Sequence, residues 1–230
     1  MSPGSMLDPL LQSLPGGGAS TVFLLVALTL LTLAPALLIL MTSFTRIVIV
    51  LSFVRSGLAT QQIPPNQVIV GLALFITMFV MAPTFQEMVE TALVPYNEGT
   101  ITLDEALTKA SEPLKRFMAQ STRQKDLQLF LSYAGEKPPE RVEDIPLRAL
   151  VPAFVISELS TAFQMGFMIY LPFIVIDLVV ASLLMGMGMM MLPPVMISLP
   201  FKILLFVLVD GWNLVVWTLL QSLPYGGGGG

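Results

Sequence analysis

Cysteine and histidine are both missing from the 230 residues of this chain. Their absence excludes disulfide frameworks, zinc sites of the usual kinds, cysteine or serine–histidine nucleophiles and histidine proton shuttles. No glycine-rich phosphate loop of the Walker or dinucleotide type is present either. Charge is scarce: 11% of residues are charged against 55% hydrophobic, with a mean hydropathy of +0.83. That balance is far more apolar than a soluble globular domain and places the chain with membrane-associated proteins. The net charge of -4 comes with scattered Lys and Arg and no basic stripe, so nucleic acid is not an expected partner. Together these absences point away from an enzyme and from a bound cofactor or metal.

What the chain has instead is methionine. Residues 185–194 read MGMGMMMLPP, five methionines and two glycines ending in a double proline. Methionine is unbranched and polarizable, so a cluster of it makes a soft surface that conforms to changing shapes. Gly186 and Gly188 allow bending or close approach, and Pro193 and Pro194 stop a helix from continuing. The stretch suits a constriction that closes on itself and opens around something bulky. Ordinary gap filling at the end of a packed membrane helix is the simpler alternative.

In chain order, Met1 to Ser20 are rich in Pro, Gly and Ser and read as a mobile leader. They lack the charged start and apolar core of a secretory signal, although a signal removed earlier could have preceded them. Gly226 to Gly230 read as a linker-like tail. Val22 to Met41 is a run of 20 uncharged residues, long enough to span a hydrocarbon core, with Pro35 expected to kink it. Arg46 and Arg55 follow on a helix-like stretch, where each can snorkel to an interface or pair with acids elsewhere, as buried charges do. Pro64 and Pro65 break the chain, with Asn66 as a candidate cap. Val68 to Met81 is apolar for only 14 residues before Ala82-Pro83, which suits a segment buried against other protein.

Residues 84–150 carry most of the charge and read as a small water-facing helical domain between hydrophobic blocks 21–83 and 151–225. Thr102 and Glu105 form a capping-box pattern that opens an amphipathic helix over Leu103 to Met118, bent or split at Pro113. A second amphipathic helix is predicted over Arg123 to Ala134, stopped by Gly135. Pro146 to Leu171 resumes as a long apolar helix ended by Pro172. Phe173 to Leu192 and Val195 to Gln221 complete the apolar runs. Glu158, Asp177, Lys202 and Asp210 fall inside these segments, and a lone charge facing lipid costs on the order of 3 kcal/mol, so each should face protein. With Lys202 the single base among three acids, a pair between Glu158 and Lys202 of neighbouring copies is expected, with Asp177 as the competing partner. The short arginine-bearing link and the link before Lys202 belong in the cytoplasm by the positive-inside rule, which puts the polar block outside.

Several long strings then agree in order and spacing with one family. They are MTSFTRIVIVL (41–51), Gln61-Gln62 with Pro64 and Asn66, FVMAP (79–83), AFVISEL (153–159), AFQMGF (162–167), LPFIVIDLVVAS (171–182), GMMMLPP (188–194) and LPFKILLFVLVDGW (199–212). They resemble the FliP family of flagellar type III export-gate proteins, whose injectisome counterparts share the pattern. The likeness runs from about Leu37 to Trp217 and departs in the leader, the polar middle and the glycine tail.

The resemblance implies an all-α fold of membrane-associated helical hairpins with kinked long helices and a polar helical insertion. It implies a non-enzymatic core subunit of which several copies, roughly five, close into a ring or helical assembly. The implied partners are FliQ, FliR, FlhB, the assembly factor FliO, membrane lipid and unfolded flagellar export substrates. The implied place is the flagellar basal body in the bacterial inner membrane, partly above the bilayer plane on the periplasmic side. Met187, Met189, Met190 and Met191, with Gly186 and Gly188, would form a gasket around the central path. Two rivals from other classes are a copper(I) transporter using methionine thioethers, and a proton-conducting subunit using Glu158, Asp177 and Asp210. Nearly contiguous methionines and the lack of helper His or Cys count against the first, and unaligned acids against the second.

Overall fold

The computed structural model describes residues 28, 29, 32, 35–60, 63–137, 139, 141–189 and 192–224, and among these the backbone is helical with no strand. The leader, the glycine tail, Gln61, Gln62, Met190 and Met191 lie outside the described residues. The chain divides into two units, Met1–Ile39 and Leu40–Gly230. In the first, the described backbone at 28, 29, 32 and 35–39 is helical, within the predicted first span. The second holds α1 (Phe44–Gly57), α2 (Asn66–Met88), a π-helical turn (Val89–Leu93), α3 (Val94–Asn97), α4 (Leu103–Ser121), α5 (Gln124–Tyr133), α6 (Leu147–Gly186), α7 (Pro194–Leu208) and α8 (Gly211–Ser222).

Two prolines that the sequence marks as ends, Pro83 and Pro172, and one that it marks as a bend or split, Pro113, are carried through. Pro83, Pro113 and Pro172 all lie inside continuous helices. The reason is clearest at Pro172, which forgoes one hydrogen bond to the carbonyl four residues before it. Ending the helix there would orphan several N–H and C=O groups in apolar surroundings, each costing more than the single bond lost. The 14-residue apolar block is therefore no short segment: α2, the π turn and α3 form one 32-residue helical element, Asn66–Asn97. α6 is 40 residues long, about 60 Å at 1.5 Å per residue, or twice a hydrocarbon core of about 30 Å. Both elements are long and apolar enough to cross a membrane, and α7 with α8 qualify together as one broken span bent by 62°.

Pro65, not Asn66, occupies the cap position of α2, and no side chain caps that helix. The predicted capping box at α4 is formed: Thr102 Oγ1 accepts from the Glu105 N–H at 3.4 Å, and Glu105 Oε2 accepts from the Thr102 N–H at 2.8 Å. α5 ends as expected, with Gly135 at φ +68. Hydroxyls in the apolar helices are turned back onto their own backbone. Ser52 donates to the Val48 carbonyl, Thr77 to Ala73, Ser182 to Leu178 and Thr218 to Leu214, so these residues burden neither lipid nor core.

α6 is the mast of the second unit. α1 lies along it from Glu158 onward, with Ile47, Val50, Leu51 and Val54 of α1 and Ala162 of α6 buried, while Phe154, nearer the start of α6, meets Phe117 of α4. α4 and α5 pack on its N-terminal part, and α7 returns along its C-terminal part. Glycines permit the closest approaches. A Cβ at Gly166 of α6 would overlap the Phe53 ring of α1, and one at Gly57 of α1 would overlap the Phe173 ring of α6. Phe53 in turn meets Phe163 edge-on, with ring centroids 5.5 Å apart.

Gly166→Ala is accordingly expected to destabilise the purified protein by about 1 to 3 kcal/mol through overpacking, with Phe53→Leu in the same chain recovering part of the loss. Thermal unfolding in mild detergent measures both. An unchanged midpoint for the single variant would show that the α1–α6 seam is looser than described.

Candidate functional site

α1 places Arg46 where its guanidinium meets three elements at once. Nε donates to Glu158 Oε2 at 2.9 Å and Nη2 to Glu158 Oε1, a fork onto α6. Nη1 donates to the Ser222 carbonyl at 2.5 Å and lies 3.3 Å from Ser222 Oγ, closing the C-terminal end of α8. Arg46 does not snorkel: it is 3% exposed and Glu158 is 0% exposed. A cation on the last carbonyls of a helix also meets the negative end of its dipole. One side chain thereby ties α1, α6 and α8 together.

Further along α6, Asp177 is held by two residues of α7. Ser198 Oγ donates to Oδ1, and Lys202 Nζ donates to Oδ2 at 2.6 Å. Ser198 and Lys202 are four apart and so share a helix face. Lys202 is 2% exposed. The partner that the sequence suggested for Glu158, Lys202 of a neighbouring copy, is thus not the one the chain supplies: Glu158 takes Arg46 and Lys202 takes Asp177. Antiparallel α6 and α7 bring Asp177 to the height of Lys202, whereas Glu158 lies 19 residues back along α6, about 28 Å at 1.5 Å per residue. Asp210, expected to be buried, is exposed instead. It sits in the left-handed region at φ 50 between α7 and α8 and ends the helix that would have shielded it.

A third polar cluster docks the polar block on the mast. The Arg123 N–H donates to Ser157 Oγ at 3.0 Å, its Nε to Asp126 Oδ2 at 2.8 Å and its Nη1 to Ser160 Oγ at 2.6 Å, while Ser157 Oγ donates to Asp126 Oδ2 at 2.6 Å. The Ser157 hydroxyl, aided by Arg123, holds the Asp126 carboxyl below the usual carboxylate range against the opposing effect of burial. Ser157 and Glu158 are neighbours, so one turn of α6 receives the polar block on one side and Arg46 on the other.

The methionine stretch forms the tip of the α6–α7 hairpin. α6 ends in a Schellman motif: Gly188, at φ +76, donates its N–H to the Met185 carbonyl at 3.0 Å, and the Met189 N–H reaches the Leu184 carbonyl at 2.9 Å. Pro193 and Pro194 then start α7. Met187 is 66% exposed and Met189 44%, and no atom lies within 4 Å of a Cβ built on Gly186 or Gly188. Nothing in the described part of the chain covers this apolar tip.

Residues 27–219 match the model of the FliP family. The chain belongs to the FliP family. A flagellar biosynthetic protein FliP of Bacillus subtilis (strain 168) is 67% identical over 208 residues, covering 90% of this chain and 94% of the relative. That of Pectobacterium carotovorum is 52% identical over 214 residues, covering 92% and 83%. That of Borreliella burgdorferi is 49% identical over 212 residues, covering 90% and 84%. FliP-family membership makes the chain a membrane-embedded flagellar component and not an enzyme.

The sequence reading missed Ser157, Ser160, Ser198, Ser222, Arg123 and Asp126 as site residues. The spacing of Ser198 and Lys202 was one available signal, a hydroxyl and a cation on one face of an otherwise apolar helix.

Glu158→Gln leaves the Arg46 charge buried and half-paired, so a loss of about 3 to 5 kcal/mol is expected. Exchanging the charges (Arg46→Glu with Glu158→Arg) should recover part of it in unfolding experiments. Recovery instead by Glu158→Lys with Lys202→Glu would reinstate the contact between copies. The acid response follows from Asp126. Its folded pKa is depressed, so its contribution is present above the ordinary carboxylate value of about 4 and is lost as pH falls through the lower folded value. Acidification should therefore lower the amide protection of α5 relative to the intrinsic exchange rate at each pH, and Asp126→Asn should flatten that dependence.

Proposed function

We propose that this chain is a core channel-forming subunit of the flagellar type III protein export gate, passing unfolded flagellar proteins through a central path sealed by its methionine tips. The observation that carries this reading is the uncovered hairpin tip, where exposed Met187 and Met189 are joined by glycines with open space around them. Met190 and Met191 continue the run in sequence. Flexible thioether side chains repeated around an axis fill a gap against ions and yield to a chain passing through. A single copy offers one tip and needs others to enclose a path, so the working form is an oligomer of several copies.

Other features support the same assignment. α6 is twice as long as the hydrocarbon core is thick, which suits a subunit seated partly above the bilayer plane. On this reading the polar block anchored at Ser157 lies on the periplasmic side of the bacterial inner membrane; Arg46 meets α6 one residue from that anchor, so the positive-inside rule does not carry the placement. The names of the relatives place them in flagellar biosynthesis. Exposed apolar faces on α2 and α6, Phe75 and Phe79 among them, offer surfaces for lipid and for the other gate components FliQ, FliR and FlhB, with FliO as assembly factor.

Replacing Met187, Met189, Met190 and Met191 together by alanine should leave the number of copies per ring unchanged in native mass spectrometry and raise ion conductance across a planar bilayer. An intact ring with no leak would overturn the gasket. A ring that fails to form would show that the methionines serve packing, since each buried methionine contributes roughly 2 to 5 kcal/mol relative to alanine.

A further inference from the structure

Charges in the apolar helices of the second unit are almost fully matched within the chain. Arg46 takes Glu158, Lys202 takes Asp177, Arg148 takes Glu136 and Glu87 takes Arg116. Among the described residues of α1, α2, α6, α7, α8 and the elbow between α7 and α8, the two left over are Arg55 and Asp210, one of each sign. Arg55 lies in the last turn of α1 and is half-buried, and Asp210 is exposed at the elbow between α7 and α8. The carboxylate is not used as a helix cap, since Asp210 makes no side-chain capping bond to α8.

The packing puts both at one height along α6. Gly57, two residues beyond Arg55, receives the Phe173 ring of α6. Gly211, next to Asp210, receives the Phe206 ring of α7. The Phe173 and Phe206 rings are themselves 6.3 Å apart between centroids. Arg55 and Asp210 therefore flank the same aromatic layer, one on the α1 flank and the other at the α7–α8 elbow, without meeting. A head-to-tail contact around an axis along α6 joins unlike flanks of neighbouring copies at nearly equal height. Aspartate accepts the left-handed backbone more readily than most residues, and that conformation turns its carboxylate out of the helix line.

We propose that Arg55 of one copy pairs with Asp210 of the next, so that a second copy of this chain is the partner of the elbow surface. The inference rests on the oligomeric reading above. It accounts for both unmatched charges with one contact, and a ring repeats that contact at each seam between copies. Lipid headgroups or a different subunit at either charge are the competing occupants.

The absence of cysteine allows a direct test on the full-length chain in its membrane, because introduced thiols are the only ones present. Two differently tagged chains, one Arg55→Cys and the other Asp210→Cys, are co-expressed and treated with a short bifunctional thiol reagent. A mixed-tag dimer is expected, and a chain carrying both cysteines should give a ladder of higher species. A ring by native mass spectrometry without the mixed dimer overturns the pair, as does linkage confined within single chains. In a second arm, Arg55→Asp and Asp210→Arg should each lose the ring, and the two together should restore it. Retention of the ring by either single swap, or loss that depends on removing anionic lipid from reconstituted membranes, also overturns it. If the cysteine chains do not assemble, the swap arm decides. Absence of any ring from the unaltered chain would instead count against the oligomeric reading itself.

Discussion

A guanidinium buried among apolar helices admits few arrangements, and that of Arg46 determines much of this fold. Its fork fixes the height of α1 against Glu158, and its remaining arm reaches the end of α8 at Ser222. The pair brings little net stability by itself, because desolvating two charges offsets most of their attraction. Its effect is on register. Sliding α1 by one turn along α6 would strand both charges without water, so the apolar seam, which alone would tolerate several registers, is held to one. The glycine notches at Gly57 and Gly166 then receive Phe173 and Phe53 only in that register.

Sequence reasoning reached most of the local structure and little of the pairing. The capping box at Thr102 and Glu105, the glycine stop at Gly135 and the apolar character of every spanning element were all readable, because each depends on residues close together in the chain. Proline misled it at Pro83 and Pro172. The rule that proline ends a helix describes competition with water for the freed backbone groups, and Pro83, Pro113 and Pro172 lie where continuing the helix costs less. Charge partners were misjudged for a related reason: helical spacing shows which residues share a face, but not which of two acids on one long helix an antiparallel neighbour will reach. Asp210 is exposed within one chain because α7 ends before it.

The tip combines methionine with a loop. Met81 and Met118 are enclosed in the core, whereas Met78, Met168 and Met196 are exposed on helix faces. Met187 and Met189 share the chemistry of those residues but not their surroundings. The Schellman cap ends α6 cleanly, so the softness of the segment is confined to a few residues and does not fray the mast below it. A firm support under a yielding edge suits an element that must be both placed and deformable.

The length of α6 has a mechanical side. From its anchor at Ser157 to Gly186 the mast runs 29 residues, about 43 Å. Swung about that anchor, a tilt of only about 5° carries the tip roughly 4 Å, the width of one packed side chain. Displacements too small to disturb the Arg123–Asp126–Ser157 cluster are thus multiplied at the far end. An angle set at one end of the helix bears on where the methionines lie at the other.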